Sequence, residues 1–365
     1  MPKVLLIEHV LAHYRRDVFR ALLNEDHFNF EIIAGRNYQG IKSANNCGIE
    51  LDYLGFKLGR HKFYYLKGSI KHVFFSDPDM IICTGIDFHR LHTVLIFFLF
   101  RIILRKKFYW WSHATVGNQG KFGFLIRKLI YKQSSGIFVY NEAGKTNLLS
   151  MKVAQNRIIV VNNSINRDDY GYLNFNLNHR EKSPVFRLLY SGRITRAKKL
   201  DILIKALGIL KRDGKIDFKC RIIGNGDLLD LKEIAKYEDV VEEIDFLEEK
   251  YGKESHPYFL DSDIFVYPGG IGLSALHAFS FGLPVITTNN LDLHFPEFEL
   301  LLPGYNGDLY CDNSPEDLAL KITEWKNKMT YLKDWFTQNC INRINELDYL
   351  PDKMVNKILD FLKQE

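Results

Sequence analysis

Arg193 and Lys198 stand five residues apart, just after a strand-like run that ends in the small-residue turn Ser191-Gly192. Two cations fixed at the mouth of a sheet suit a diphosphate, each charge-assisted contact contributing about 1.5–3 kcal/mol. Ordinary charge at a helix start gives the same spacing. Further on, residues 267–286 (YPGGIGLSALHAFSFGLPVI) run from a strand into Gly269-Gly270. Ile271, Gly272, Leu273 and Ser274 then open a helix that stops at Gly282 before Pro284. Glycines ahead of a helix N-terminus let backbone amides approach a phosphate, and the helix dipole favours its charge. A tight bend with no ligand is the other reading of the same glycines.

The front half holds scattered candidates. His13, Tyr14 and Arg15 follow the first strand, Asp87 follows the third strand and Gly85, and His113 follows the aromatic strand 108–111. The first strand leads into Glu8-His9-Val10-Leu11-Ala12-His13, without the G-x-G-x-x-G fingerprint, which argues against a dinucleotide enzyme.

The elements that must position these residues alternate. Short apolar runs at 4–7, 30–34, 80–83, 108–111, 137–140 and 158–161 are separated by helical spacings at 15–23, 91–104 and 122–132. Residues 162–184 are polar and Asn-rich, after which strands recur at 187–190, 220–223, 244–247, 264–267 and 285–287. Helices are expected at 200–212 and 274–281, and from Pro315 onward with a break near Pro351. Continuously apolar strands between helices predict parallel sheets covered on both faces. The expected division is a first domain at 1–168, a linker at 169–184, a second domain at 185–345, and a last helix at 346–365 packing back on the first domain. Ligands would bind in a central cleft, at the carboxyl ends of both sheets.

Gly192-Arg193-Ile194 with Lys198, then Asp201, Leu203, Ile204 and Ala206, resembles the phosphate-binding segment of retaining glycosyltransferase family four. Pro268, Gly272, Leu273, Ala278, Gly282 and Pro284 are similar to that family's sugar- and nucleotide-binding helix. Ile223-Gly224-Asn225-Gly226 falls where the family has a G-x-G turn, and 244–247 where a strand flanks the nucleobase. Residues 161–166 resemble the N-G-x-D element that ends the first domain. The likeness is good over 187–290 and loose in the first domain.

The resemblance implies the GT-B fold, two Rossmann-like doubly wound domains facing a cleft. It implies a hexosyltransferase that retains configuration by front-face displacement, the departing phosphate helping to deprotonate the acceptor. Carried over, Arg193 and Lys198 grip the diphosphate and His113 sits in the active site. Gly192, Gly224, Leu247, Gly269, Gly270, Ile271, Gly272, Leu273, Ser274 and His277 would bind the donor. His13, Tyr14, Arg15 and Asp87 would bind the acceptor. The family's two glutamates, eight residues apart, are replaced here by Gly269 and His277. His277 retains a hydrogen bond for ribose, whereas Gly269 offers no carboxylate. The chain thus falls in a subgroup lacking the glutamate pair.

No D-x-D cluster lies near the donor segments, so the expected transfer needs no metal and no cofactor, the two cations neutralising the leaving group. The nucleotide sugar is a substrate, UDP-sugar before GDP-sugar, and a glycan or lipid-linked acceptor receives it. Surface polysaccharide or lipopolysaccharide assembly is the expected setting. A nucleotide-sugar epimerase or phosphorylase, or a non-catalytic binding relic of the same fold, are the alternatives.

Five scattered cysteines without a C-x-x-C pair argue for a reducing compartment. The start shows no export signal, and the apolar run at 93–104 is short of a membrane span. Residues 1–167 carry 24 Lys and Arg against 11 Asp and Glu, while the remainder carries 25 against 33. A front half this basic suggests an acidic partner such as an anionic membrane surface, a phospholipid-linked acceptor or nucleic acid. Of these, peripheral contact with the membrane from the cytoplasmic side is expected and nucleic acid is not. A solvated basic surface is the bland alternative. Residues 91–107 read equally as a membrane-surface helix or as a buried one.

Overall fold

The computed structural model describes residues 1–36, 41–114, 121–177, 184–214 and 216–364. The chain divides into two compact units, Met1–Asn166 with Leu350–Glu365, and Arg167–Tyr349.

The first unit is built on β1 (Lys3–Glu8), β2 (Asn29–Gly35), β3 (Ile49–Leu51), β6 (Met80–Thr84), β7 (Lys107–Ser112), β8 (Gly136–Val139) and β9 (Ile158–Val160). These lie parallel in the order β3-β2-β1-β6-β7-β8-β9. A separate antiparallel ribbon pairs β4 (Tyr53–Leu58) with β5 (His61–Leu66). The period of two explains why the strands are apolar throughout. Val4 and Leu6 enter a core on one face with α1 (Arg16–Leu23) and α12 (Pro351–Lys363). Leu5 and Ile7 enter a second core on the other face. That face carries α2 (Ser69–Ser76), α3 (Leu91–Ile96) with its π-helical continuation Phe97–Ile103, α4 (Lys121–Gln133) and α5 (Glu142–Ser150). The last helix, α12, packs on α1, and a β-carbon on Gly136 would stand 2.5 Å from the Phe361 ring.

The second unit repeats the plan. β10 (Phe186–Ser191), β11 (Phe218–Ile223), β12 (Ile244–Leu247), β13 (Ile264–Tyr267), β14 (Val285–Thr288) and β15 (Gly307–Tyr310) form a parallel sheet ordered β12-β11-β10-β13-β14-β15. Its helices are α6 (Gly171–Asn174), α7 (Leu200–Asp213), α8 (Leu229–Tyr237), α9 (His256–Leu260), α10 (Leu273–Ser280) and α11 (Pro315–Glu346).

Two expectations change. Residues 169–177 are not a loose tether. Tyr170 is fully buried and donates to the Tyr349 carbonyl, and Gly171 abuts the Phe281 ring, so this stretch is packed into the second unit. Residues 178–183 of the expected linker lie outside the described residues. The ribbon β4–β5 was absent from the sequence reading, because its alternation places polar and apolar groups on a largely exposed surface.

Candidate functional site

Each sheet reverses its winding at one place: between β1 and β6 in the first unit, and between β10 and β13 in the second. Ligands in open α/β sheets bind outside the carboxyl ends of the strands at such a switch point. Gly192 and the glycine loop at 269–272 lie at the second of these places, and Arg15 and Asp87 follow strands that border the first.

In the second unit, β10 and β13 pair only at Leu188–Ile264 and Leu189–Phe265, then part, with Tyr190 stacked on Tyr267 at 4.9 Å between ring centres. Gly192 leaves β10 beside the Tyr267 hydroxyl, and the Tyr190 hydroxyl donates to the Arg193 carbonyl at 2.8 Å. The Arg193 side chain is exposed and makes no ion pair with a described residue. Lys198 lies in the 3-10 turn Arg196–Lys198, ahead of α7 rather than on it. Its Nζ donates to the Gly270 carbonyl at 2.8 Å and stands 4.8 Å from the Tyr267 ring centre. One of its three hydrogens is thus committed to the loop, and two are left for an anion.

The glycine loop is held from behind. A β-carbon at Gly269 would stand 2.3 Å from the Ala197 carbonyl oxygen, and one at Gly270 would stand 2.0 Å from that of Leu293. No side chain fits at either position without a shift of the backbone it meets. The Ile271 amide donates to His294 Nδ1 at 3.1 Å, while His294 Nε2 faces the Thr288 carbonyl at 2.9 Å. That pairing fixes His294 as the neutral Nε2–H tautomer, in line with its pKa lowered by burial. Ile271 N–H is therefore spent inside the protein, against the expectation of a donor contact. No side chain caps α10, whose first turn holds Leu273 and Ser274 after Gly272, so those amides keep the character of an anion site. His294 and Glu297 were missed by the sequence reading. The Glu297 carboxylate is buried, and a β-carbon on Gly272 would stand 3.2 Å from its Oε2. Nothing in the run HFPEF marks either residue beforehand.

Three further expectations are modified. Gly224 is a glycine because the Gly192 carbonyl oxygen occupies the place of its β-carbon, 2.0 Å away, and its amide is bonded to the Leu247 carbonyl. Gly224 and Leu247 thus hold two loops together rather than present free groups. His277 packs on Phe259, with ring centres 4.2 Å apart, and on Phe281. Burial pushes its pKa down to about 3, and its Nε2 has no hydrogen-bond partner among the described residues. It is a neutral ring in an aromatic setting rather than an open ribose contact. A cavity of about 390 Å³ also lies in this unit, lined in part by Asp168, Phe175, Lys253 and His256, and none of the predicted donor residues lines it.

In the first unit the switch point is filled with side chains. Glu8 ends β1, and its Oε2 accepts from Thr84 Oγ1 at 3.0 Å. Arg15, only 7% exposed, stands 3.6 Å from Glu8 Oε1, donates to Asn163 Oδ1 at 3.1 Å, and lies over the Trp111 and Tyr140 rings at 5.2 and 5.0 Å. Burial raises the Glu8 pKa, and Arg15 opposes that rise. Arg15 is therefore a supporting group and not an open acceptor contact. Asn166 bonds both the His13 carbonyl and the Asp17 amide, so the segment 161–166 clamps the turn from β1 into α1. His13 faces the Lys42 carbonyl through Nδ1 at 3.3 Å, and Tyr14 packs edge-on against it. Gly85, with φ +60°, brings the backbone against His9, its β-carbon position 3.1 Å from His9 Nε2. Asp87 is paired with Arg90 at 3.0 Å. His113 leaves an edge open to solvent, with its ring 4.5 Å from that of Tyr140. Desolvation and the Arg15 charge lower its pKa to about 4. It is a neutral hydrogen-bonding group at physiological pH.

Residues 174–339 match the family described as Glycosyl transferases group 1. This stretch is therefore similar to that family's domain. Two uncharacterized glycosyltransferases of Methanocaldococcus jannaschii are similar in sequence. One is 30% identical over 179 residues, covering 47% of this chain, and the other 26% over 235 residues, covering 60%. The matched stretches span 45% and 56% of those relatives' own lengths. Among solved structures, a glycosyltransferase from Rickettsia africae superposes with a TM-score of 0.73 at 15% identity, over 100% of this chain and 98% of that one. The lipopolysaccharide outer core galactosyltransferase WaaB gives 0.71 at 16% identity, over 99% of both chains. Anabaena HepE, solved with UDP, gives 0.71 at 14%, over 100% of both. The fold is GT-B, two Rossmann-like halves. The matched stretch contains the whole glycine-lined switch point, from Gly192 to Ser274.

Proposed function

We propose that this chain transfers a sugar from a nucleotide diphosphate donor to a glycan or lipid-linked acceptor, as a retaining, metal-independent hexosyltransferase. The observation that carries the reading is the switch point of the group 1 domain. Half-buried Lys198 is bonded there to the glycine loop that leads to the uncapped start of α10, and exposed Arg193 follows the end of β10 in the same segment. Two cations and a run of amides are what a departing diphosphate needs as negative charge builds on it. UDP is favoured over GDP, supported by the UDP held in the fold's relative HepE. In the other unit, His113 would meet the acceptor or the transferred sugar as a neutral group. Retention, with the leaving phosphate taking the acceptor proton, follows from the family resemblance. The setting is polysaccharide or lipopolysaccharide assembly, at the cytoplasmic face of the membrane.

One observation favours a second reading. With Gly269 closed to any side chain and His277 packed among rings, the domain offers neither family glutamate. A non-catalytic nucleotide-sugar-binding protein would share these features. The test is a thermal-shift screen against UDP, GDP, ADP and CMP and their sugars, with and without EDTA, followed by turnover of the donor that binds. Stabilisation by one diphosphate nucleotide that survives EDTA is expected, near 2.7 kcal/mol at about a hundredfold excess over Kd. Arg193→Ala should weaken binding about 10- to 100-fold while leaving the unliganded melting temperature unchanged. Binding without turnover favours the second reading, and an Arg193→Ala protein that binds as wild type does removes Arg193 from the site.

A further inference from the structure

The helix that continues α3 is apolar on both of its faces, and among the described residues only one face is buried in a core. Ile96, Phe97 and Phe100 enter the core of the first unit. Leu95, Phe98 and Ile102, at spacings of three and four, face outward with Ile103 and Leu104. Phe98 and Ile103 are each 57% exposed. Neighbouring α2 adds Phe75, 79% exposed, while Phe74 next to it touches Phe100 at 4.9 Å between ring centres. A helix apolar all round is normally buried, and an exposed apolar patch of this kind on a globular unit marks an interaction surface.

The charge around it selects the partner. The 54 residues from Phe88 to Asn141 contain nine Lys and Arg and no Asp or Glu. Lys71, on α2, holds its Nζ 5.4 Å from the Phe75 ring centre. Arg105 is exposed just beyond the helix end, and Lys106 pairs with Asp77 at the end of α2. Exposed apolar side chains with cations on the same two helices and at their end fit the boundary between the headgroups and acyl chains of an anionic bilayer. A second copy of this chain fits badly, because a two-fold contact through this face would set its cations against their own equivalents. Among the described residues no helix is long and apolar enough to cross a membrane, so the contact is one of resting on the surface.

We propose that α2 and the helix at 91–103 form a docking surface for an anionic lipid bilayer, with Phe75, Phe98 and Ile103 entering the acyl boundary and Lys71 and Arg105 engaging the headgroups. The surface names where the membrane contact of the proposed function is made, and it stands without the identity of the transferred sugar. The test is flotation of the purified full chain, free of donor and acceptor, with vesicles of phosphatidylcholine alone or with about one-third phosphatidylglycerol. Wild type should float with the anionic vesicles and not with the neutral ones. Phe98→Ser/Ile103→Ser should lower the bound fraction at least tenfold and Arg105→Glu several-fold, with circular dichroism and nucleotide-induced thermal shifts as in wild type. If folded wild type fails to float, or if both variants float as it does, the proposal is overturned. It is also overturned if the wild type is a dimer in sedimentation that the apolar double variant splits while vesicle binding is unchanged. A failure of donor turnover would count against the transfer reading alone and leave docking intact.

Discussion

The two switch points occupy equivalent places in two sheets of the same design, yet they are built from opposite materials. The one in the second unit is made of backbone. Gly192, Gly224, Gly269 and Gly270 let strands and loops approach until no β-carbon fits, and Lys198 and His294 tie the result together. The one in the first unit is made of side chains, with Glu8, Thr84, Arg15 and Asn163 in a buried network under aromatic rings. A backbone site presents amides and helix dipole, which suit a phosphate whatever sugar it bears. A side-chain site can be respecified by substitution, which a site made of backbone cannot.

The largest effect expected of this difference is on the side-chain site. Replacing Arg15 by Met keeps its packing on Trp111 and Tyr140 but leaves Glu8 buried without its opposing charge. Breaking a buried pair by removing one partner costs about 3–5 kcal/mol. Urea unfolding should show a loss of that order. The pKa of His113, held near 4 partly by Arg15, should move up towards its ordinary value when followed by NMR. Unchanged stability together with an unchanged His113 titration would mean that the network is not what holds this site.

Next in size is the backbone site. Gly269→Glu restores the carboxylate that the family resemblance expects, and it should fail. Its β-carbon would meet the Ala197 carbonyl oxygen and the Lys198 backbone, at 2.3 and 2.8 Å. Overpacking of this kind costs about 1–3 kcal/mol, and because Lys198 must shift, nucleotide binding should weaken rather than improve. A variant that melts as wild type does and turns over donor faster would show that the loop has room and that the comparison is drawn too sharply.

The same contrast explains what could be read beforehand. Glycine is the only residue that tolerates such close approach, so the backbone site left its mark in the sequence at 192, 224, 269, 270 and 272. The apolar strands did likewise, because burial on both faces removes every polar residue from them. The side-chain site left almost none. Glu8, Thr84 and Asn163 meet from positions more than 70 residues apart in sequence, and no local spacing announces a contact made by the crossover of a sheet. Arg15 stands out in the sequence by its charge, but charge alone does not tell a cation that waits for a ligand from one already held over two rings. His277 shows the same ambiguity, since its environment comes from α9, which the periodicity did not reveal. The outward face of the helix at 91–103 was undecidable for a related reason. Its composition is apolar on both sides, and only the packed structure shows which side has a partner.

The smallest effect is shared by the two units and tests whether each hides a neutral histidine. In the first unit His92 is fully buried and accepts the Leu66 amide through Nδ1 at 3.3 Å, so its proton is on Nε2. Burial and the Arg90 charge lower its pKa to about 4. His277 plays the corresponding part in the second unit, with a pKa lowered to about 3 by burial. Both folded-state values lie below the ordinary value near 6.5, so between them the unfolded chain binds more protons than the folded one. Stability is therefore undiminished above about pH 6.5 and falls as the pH drops, through about 4 for His92 and about 3 for His277. The limiting slope for each ring is about 1.4 kcal/mol per pH unit. Urea unfolding followed from pH 7 to pH 6 should show a loss of about 0.7 kcal/mol for each ring. His277→Leu, which fits the space between Phe259 and Phe281, should lessen the pH dependence of the second unit, where His294 remains, while leaving that of the first. If the slope survives the substitution unchanged, the protons taken up on unfolding belong to other groups, and His277 is less enclosed than its rings imply.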